Sequence, residues 1–308
     1  MSSLRKRAVL GGAYQLEKLV VRGSVGDVWE ARELSTGRAV VVKTLGISPR
    51  LRPDLAQRFA REERIARTLD SPYVCRLVGA GTGADGLPFL AYEKLEGETL
   101  DARLERSPRL AFAELAPLLG DLLDGLGHVH GVGIVHRDIK PDNVFVERAE
   151  AGGREHGRLL DFGVSKLDEN EGDGVTTDST VLGSMAYMPP EQAVGSSPVG
   201  PWTDLYAVGA VAFRALSGRR PFEAPTAEGV LSLKRYRNPP TLTAVTGEAW
   251  PAELERFLAR LLAREPSGRY ASAALARLEW SDVCAELGLR LEGPPPAGAG
   301  RSPPPTAE

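Results

Sequence analysis

The residues His136-Arg137-Asp138-Ile139-Lys140-Pro141-Asp142-Asn143, followed eighteen residues after Asn143 by Asp161-Phe162-Gly163, concentrate the chemistry of this chain. An Asp can accept a proton from an attacking hydroxyl, and a Lys two positions on can steady a phosphoryl group in transit. Asn143 and Asp161 offer the hard oxygen ligands that Mg²⁺ takes. Together these groups place a base, a cation and two metal-seeking side chains at a spacing suited to phosphoryl transfer from a magnesium nucleotide. A tripeptide of this kind arises by chance; the octapeptide with Asp-Phe-Gly at that distance does not.

The elements that must position these groups follow from the apolar pattern. Residues 14–45 carry alternation and β-branched runs such as Ala39-Val40-Val41-Val42-Lys43, which predict strands. From Pro53 to Leu69 the period changes to that of a helix, with Leu55, Phe59, Ile65, Ala66 and Leu69 apolar between charges. Residues 73–95 predict two more strands joined by a turn over 81–86. Beyond Gly97 helices dominate, over about 111–127, 203–217 and 252–263. Strands first and helices after predict an α+β fold in two lobes around one cleft. The small lobe would be an antiparallel sheet with one helix over 14–95, and the larger, mainly helical lobe would span 96–291. Residues 1–13 read as an N-terminal extension. The polar stretch Glu147–Arg158 predicts a hairpin tip, and the Pro-rich residues 292–308 predict a disordered tail or linker stub.

At 308 residues the chain is long enough to bury a substantial core, and a formal charge of −3 argues against a dedicated nucleic-acid binder. Cys75 and Cys284 supply neither a disulfide framework nor a metal-ligand spacing. No apolar run approaches the roughly 20 residues that span a bilayer. The basic start, Met1 to Arg7, is followed by too short an apolar stretch, broken by Gly11-Gly12, to be a signal peptide. These features predict a cytoplasmic protein with no membrane partner.

On its motifs the chain resembles the eukaryotic-type (Hanks-type) Ser/Thr protein kinases, in their bacterial branch, from about Tyr14 to Leu291. The resemblance implies a bilobal protein-kinase-like fold, ATP and Mg²⁺ as cofactors, and protein substrates. In Val21-Arg22-Gly23-Ser24-Val25-Gly26-Asp27-Val28, similar to the family's Gly-rich loop, Val21 stands at the first Gly position. Gly23, Ser24 and Gly26 would approach the phosphates, and Val28 would cover the adenine. Lys43, seventeen residues beyond Gly26, resembles the lysine that contacts the α- and β-phosphates. Its partner would be Glu62, with Glu63 as the alternative, since neighbours on a helix face about 100° apart. The resemblance further implies adenine contacts from the backbone of Glu93 and Leu95, and nucleotide contacts from Val41 and Phe145. Tyr92 falls at the gatekeeper position; filling core space explains its size equally well.

In the same resemblance Asp138 is the general base or hydroxyl-orienting residue, Lys140 lies against the γ-phosphate, and Asn143 and Asp161 hold Mg²⁺. His136 is structural. Arg137 would pair with a phosphorylated residue among Thr176, Thr177, Ser179 and Thr180 of the family's activation segment, an electrostatic switch that orders it. Ser184, in Gly183-Ser184-Met185-Ala186-Tyr187-Met188-Pro189-Pro190-Glu191, would bond Asp138 and Lys140. Glu191 would pair with Arg269, and Asp204 would cap backbone N–H groups of the catalytic loop. Two other readings remain at this stage: a pseudokinase or nucleotide-binding scaffold, for which Val21 speaks, and a kinase of small molecules.

Overall fold

The computed structural model describes residues 6–23, 26–47, 50–148, 153–161, 183–194 and 198–291. Ser24, Phe162, the hydroxyl-bearing stretch 176–180 and the tail 292–308 lie outside the described residues. The chain divides into two compact units, one within residues 1–96 and the other within 97–296.

The first unit is a six-stranded antiparallel sheet with one helix. In chain order its strands are β1 (Val9–Leu10), β2 (Tyr14–Arg22), β3 (Asp27–Glu33), β4 (Ala39–Thr44), β5 (Leu77–Thr82) and β6 (Pro88–Glu93). In space they run β1-β2-β3-β4-β6-β5. Part of the expected extension therefore belongs to the sheet, since Val9 and Leu10 pair with Gln15 and Tyr14. One face buries Leu16, Trp29, Ala31, Val40, Val42, Phe89 and Ala91 together. Against the other face lies α1 (Pro53–Thr68), which packs Leu55, Phe59 and Ala66 onto Leu45, Leu77, Leu90 and Tyr92. Alternation along β4 puts Val41 and Lys43 on the α1 side, opposite Tyr92 and Leu90 of β6.

Helix α1 starts with Pro53 at its first turn, where a missing N–H costs nothing, and carries Asp54 there and Arg67 at its end. Its buried residues are Leu55, Phe59, Glu62 and Ala66, a row at spacings of four, three and four. Glu62 is thus carried into the packed face by the apolar row it belongs to, while Glu63 turns outward and pairs with Arg67 at 2.9 Å.

The second unit opens with β7 (Gly97–Thr99), which pairs with β8 (Val144–Glu147), and β8 pairs with β9 (His156–Leu159). Its helices are α2 (Leu100–Arg106), α3 (Phe112–Gly131), α4 (Pro190–Val194), α5 (Pro201–Ser217), α6 (Ala227–Tyr236), α7 (Leu242–Thr246), α8 (Ala252–Leu261) and α9 (Ala273–Glu286). Helix α5 is apolar almost all round and buried almost all round, which makes it the centre of this unit. It ends at Gly218, whose φ of +77° lies in the left-handed region glycine adopts without strain. Trp280 of α9 is fully buried against Phe112 and Phe257, and its indole N–H donates to the Ala116 carbonyl at 2.9 Å. The expected helices over 111–127, 203–217 and 252–263 correspond to α3, α5 and α8, while α2, α6 and α9 were not anticipated. Among the described residues no helix is long and apolar enough to cross a membrane.

Candidate active site

In the first unit the Lys43 ammonium meets both oxygens of Glu62, at 2.8 and 3.0 Å. The carboxylate that Lys43 finds on α1 is therefore Glu62, not Glu63. A third group joins them, since the Tyr92 hydroxyl donates to Glu62 Oε1 at 3.0 Å. Tyr92 thus both fills core space and holds the carboxylate, a contact that side-chain size alone did not reveal. Val28 lies directly opposite Lys43 across the β3–β4 pair, so Val28, Val41 and Lys43 share one half-buried face.

Gly23 and Gly26 close the turn between β2 and β3, with the Gly23 N–H donating to the Gly26 carbonyl at 3.0 Å. A Cβ on Gly26 would sit 1.8 Å from the Thr44 carbonyl oxygen, so no other residue fits there without moving β4. Val21, by contrast, pairs with Val28 and points largely to solvent, 54 % exposed. The Glu93 side chain accepts from the Arg76 N–H at 2.9 Å, and the Glu93 N–H donates to the Arg76 carbonyl at 3.0 Å. Glu93 is thereby tied at the end of β6, and Leu95, half-buried, follows two residues on.

In the second unit the loop between α3 and β8 is built around Asp204. This carboxylate, 1 % exposed, accepts from the backbone N–H groups of His136 and Arg137 at 2.8 and 2.7 Å. His130 Nε2 lies 2.8 Å from its other bonding position on Oδ2. Arg137 has φ +66°, a strained conformation for a residue with a Cβ, and the Asp204 bond holds it there. His136 is fully buried with Nε2 on the Leu160 carbonyl at 2.9 Å, a structural setting.

The candidate chemistry sits at the end of this loop. Lys140 Nζ is 3.6 Å from Asp138 Oδ2. The Asn143 amide nitrogen donates to the Asp138 carbonyl and to Asp138 Oδ2, at 2.8 and 2.9 Å. With its nitrogen turned to Asp138, Asn143 presents its oxygen elsewhere, as a metal ligand must. The Leu160 N–H donates to the Asn143 carbonyl at 2.9 Å, so Asn143 and Asp161 meet at one end of the β8–β9 ribbon. Asp161 is exposed and has φ +36°. Phe145, on β8 between Thr99 and Arg158, lies in the same ribbon. Among the described residues no cluster of three or more His, Cys, Asp or Glu side chains could enclose a metal ion. An amide oxygen and a carboxylate fit Mg²⁺, which keeps waters and takes phosphate oxygens for the rest.

Asp138 also lines a small cavity with Ser184, Tyr187, Met188 and Pro189. Just beyond these residues in the chain, Glu191 forms with Arg269 a two-pronged ion pair at 2.6 and 2.9 Å, with Arg269 0 % and Glu191 5 % exposed at the side chain. Thr203 donates to Glu191, and Arg269 also reaches the carbonyls of Trp202, Ala263 and Arg264. Gln192 donates to the Arg137 carbonyl at 3.2 Å, linking α4 to the Asp138 loop. Gln192 and the Thr203 hydroxyl were not singled out from the sequence, and the bond from Tyr92 to Glu62 was not foreseen; each is an ordinary residue type whose significance comes only from what it touches.

Comparison with known proteins identifies the family. The family described as "Protein kinase domain" matches residues 14–281. The serine/threonine-protein kinase pkn2 of Myxococcus xanthus is 36 % identical over 273 residues, covering 86 % of this chain and 32 % of that protein. The serine/threonine-protein kinase PknA of Mycobacterium tuberculosis is 30 % identical over 307 residues, covering 98 % of this chain and 67 % of that protein. The chain thus spans from about a third to two thirds of the length of these relatives. In fold it is similar to the crystal structure of the Mycobacterium tuberculosis PknI kinase domain, with a TM-score of 0.67 at 22 % identity, covering 91 % of this chain and 99 % of that one.

Proposed function

Because the chain belongs to the protein kinase domain family, we propose that it transfers the γ-phosphoryl group of Mg-ATP to Ser and Thr hydroxyls of proteins, its own activation segment included. The observation that supports this most is the Asp138–Asn143 arrangement. A carboxylate is fixed by an amide whose oxygen is left for a cation, with Lys140 beside both. Asp138 accepts or orients the hydroxyl proton, and Lys140 offsets the charge of the moving phosphoryl group. Asn143 and Asp161 would hold Mg²⁺, which when bound neutralises charge on the phosphate oxygens. Lys43, steadied by Glu62 and Tyr92, takes the α- and β-phosphates. Gly23, Ser24 and Gly26 are the candidates to approach them, Val28, Val41, Glu93 and Leu95 are the first unit's candidates to contact the base, and Phe145 is the second unit's. The catalytic domain occupies 14–291, in a cytoplasmic protein.

A nucleotide-binding scaffold without turnover would need a missing catalytic group, and each candidate position holds a suitable residue. Incubation with labelled ATP and Mg²⁺, followed by site mapping of the protein and of a generic protein acceptor, tests the reading. Label on Ser and Thr, lost on chelating the metal, is the expected result. Nucleotide binding with no transfer would support the scaffold instead, and transfer confined to an aminoglycoside would support a small-molecule kinase.

A further inference from the structure

Lys234, on α6, is 1 % exposed, and its ammonium donates to three backbone carbonyls: Met185 at 2.7 Å, Ala186 at 2.8 Å and Met188 at 2.5 Å. Three N–H donors meet three acceptors, so the group is fully used. The Tyr206 ring centroid lies 5.3 Å from the same nitrogen. Burial draws this lysine down to about 7, with Glu191 favouring the charged form and Arg269 opposing it. Anchoring α6 does not require such an arrangement. Val230, one turn earlier, anchors the helix by plain apolar burial, and a Met at 234 would fill the space without desolvating a charge.

All three carbonyls belong to the short stretch 185–188, the first two within the turn closed by the Tyr187 N–H on the Ser184 carbonyl at 3.2 Å and the third just after it. That stretch supplies Tyr187 and Met188 to the cavity beside Asp138. A polypeptide that delivers a hydroxyl to Asp138 must run over it. We infer that Lys234 is a positioning residue for the protein substrate: its ammonium gathers the Met185, Ala186 and Met188 carbonyls inward and so sets the surface that receives the residues flanking the target hydroxyl. This rests on the protein-kinase reading above.

The test is Lys234→Met, of nearly the same length, assayed for KM of a protein acceptor, KM of ATP and kcat, with thermal melting as the check on folding. The expected result is a KM for the acceptor raised about tenfold while the KM for ATP stays within about twofold. If the Met variant does not fold, Lys234→Gln, which keeps two N–H donors, should show the same split at smaller amplitude. An unchanged acceptor KM, or equal movement of both KM values, overturns the inference while leaving the kinase reading intact. Wild-type protein that transfers no phosphate at all would remove that reading, and the inference with it.

Discussion

Glu62 accepts from two donors of different kinds, the ammonium of Lys43 and the hydroxyl of Tyr92, and each limits how the carboxylate can swing. Removing the hydroxyl by Tyr92→Phe keeps the ring in the core and deletes only that restraint. The expected outcome is a KM for ATP about three- to tenfold higher, the worth of one ordinary hydrogen bond because the Lys43 bonds to Glu62 remain; steady-state kinetics with varied ATP decide it, and an unchanged KM would show that Tyr92 only fills space. The buried Glu191–Arg269 pair obeys a different logic. Desolvation has already been offset by Thr203 and by three carbonyls around Arg269, so Glu191→Gln strands a guanidinium. A loss of about 3–5 kcal/mol is expected in urea denaturation; a loss below about 1 kcal/mol would mean water reaches the site. Glu62 was legible before the structure from its distance to Ser71-Pro72, which resembles the family's spacing, and the structure adds that it shares the buried row of Leu55, Phe59 and Ala66. Lys234 was not: in Leu233-Lys234-Arg235-Tyr236 it looks like one charge among several at a solvated helix end, and only the partner carbonyls distinguish it.

Among the elements, β7 and α2 are joined by Glu98, which receives Arg103 at 3.0 Å and Arg106 at 2.6 and 2.8 Å. Arg106, then Arg103, hold the Glu98 carboxyl down to about 2. A carboxylate with a folded pKa below its unfolded value near 4.5 contributes stability that is complete above that value and fades as pH falls toward 2. The melting-point difference between wild type and Glu98→Gln should therefore be constant above about pH 5.5 and shrink between about pH 5 and 3. A difference independent of pH would show that the ion pairs contribute nothing beyond packing. Because Glu98 is about a quarter exposed, solvent screening keeps the effect small. The long amphipathic or fully apolar segments, α1, α3, α5 and α8, were readable from their period. The short α2 offers too few turns to show one, and α9 buries Ala273, Ala276, Trp280 and Cys284 on one face but exposes Leu275 and Leu278 on the other, which blurs the stripe.

For the molecule as a whole, the order of strands before helices was enough to foresee a sheet-based and a helix-based unit, since strand patterns dominate before Gly97 and helical ones after it, α1 apart. The strand Val9–Leu10 escaped because two residues carry no period. The chemistry was legible from motif spacing, but the devices that hold it, Asp204 under two N–H groups and Asn143 against Asp138, depend on chain reversals that spacing does not encode. The central claim is that Asp138 works on a protein hydroxyl. It is tested most directly by comparing phosphate incorporation from Mg-ATP by the wild type and Asp138→Asn, with melting points recorded for both. The account predicts a fall of about 10²–10⁴ in rate at an unchanged melting point; an Asp138→Asn variant that phosphorylates Ser and Thr as fast as the wild type would contradict it.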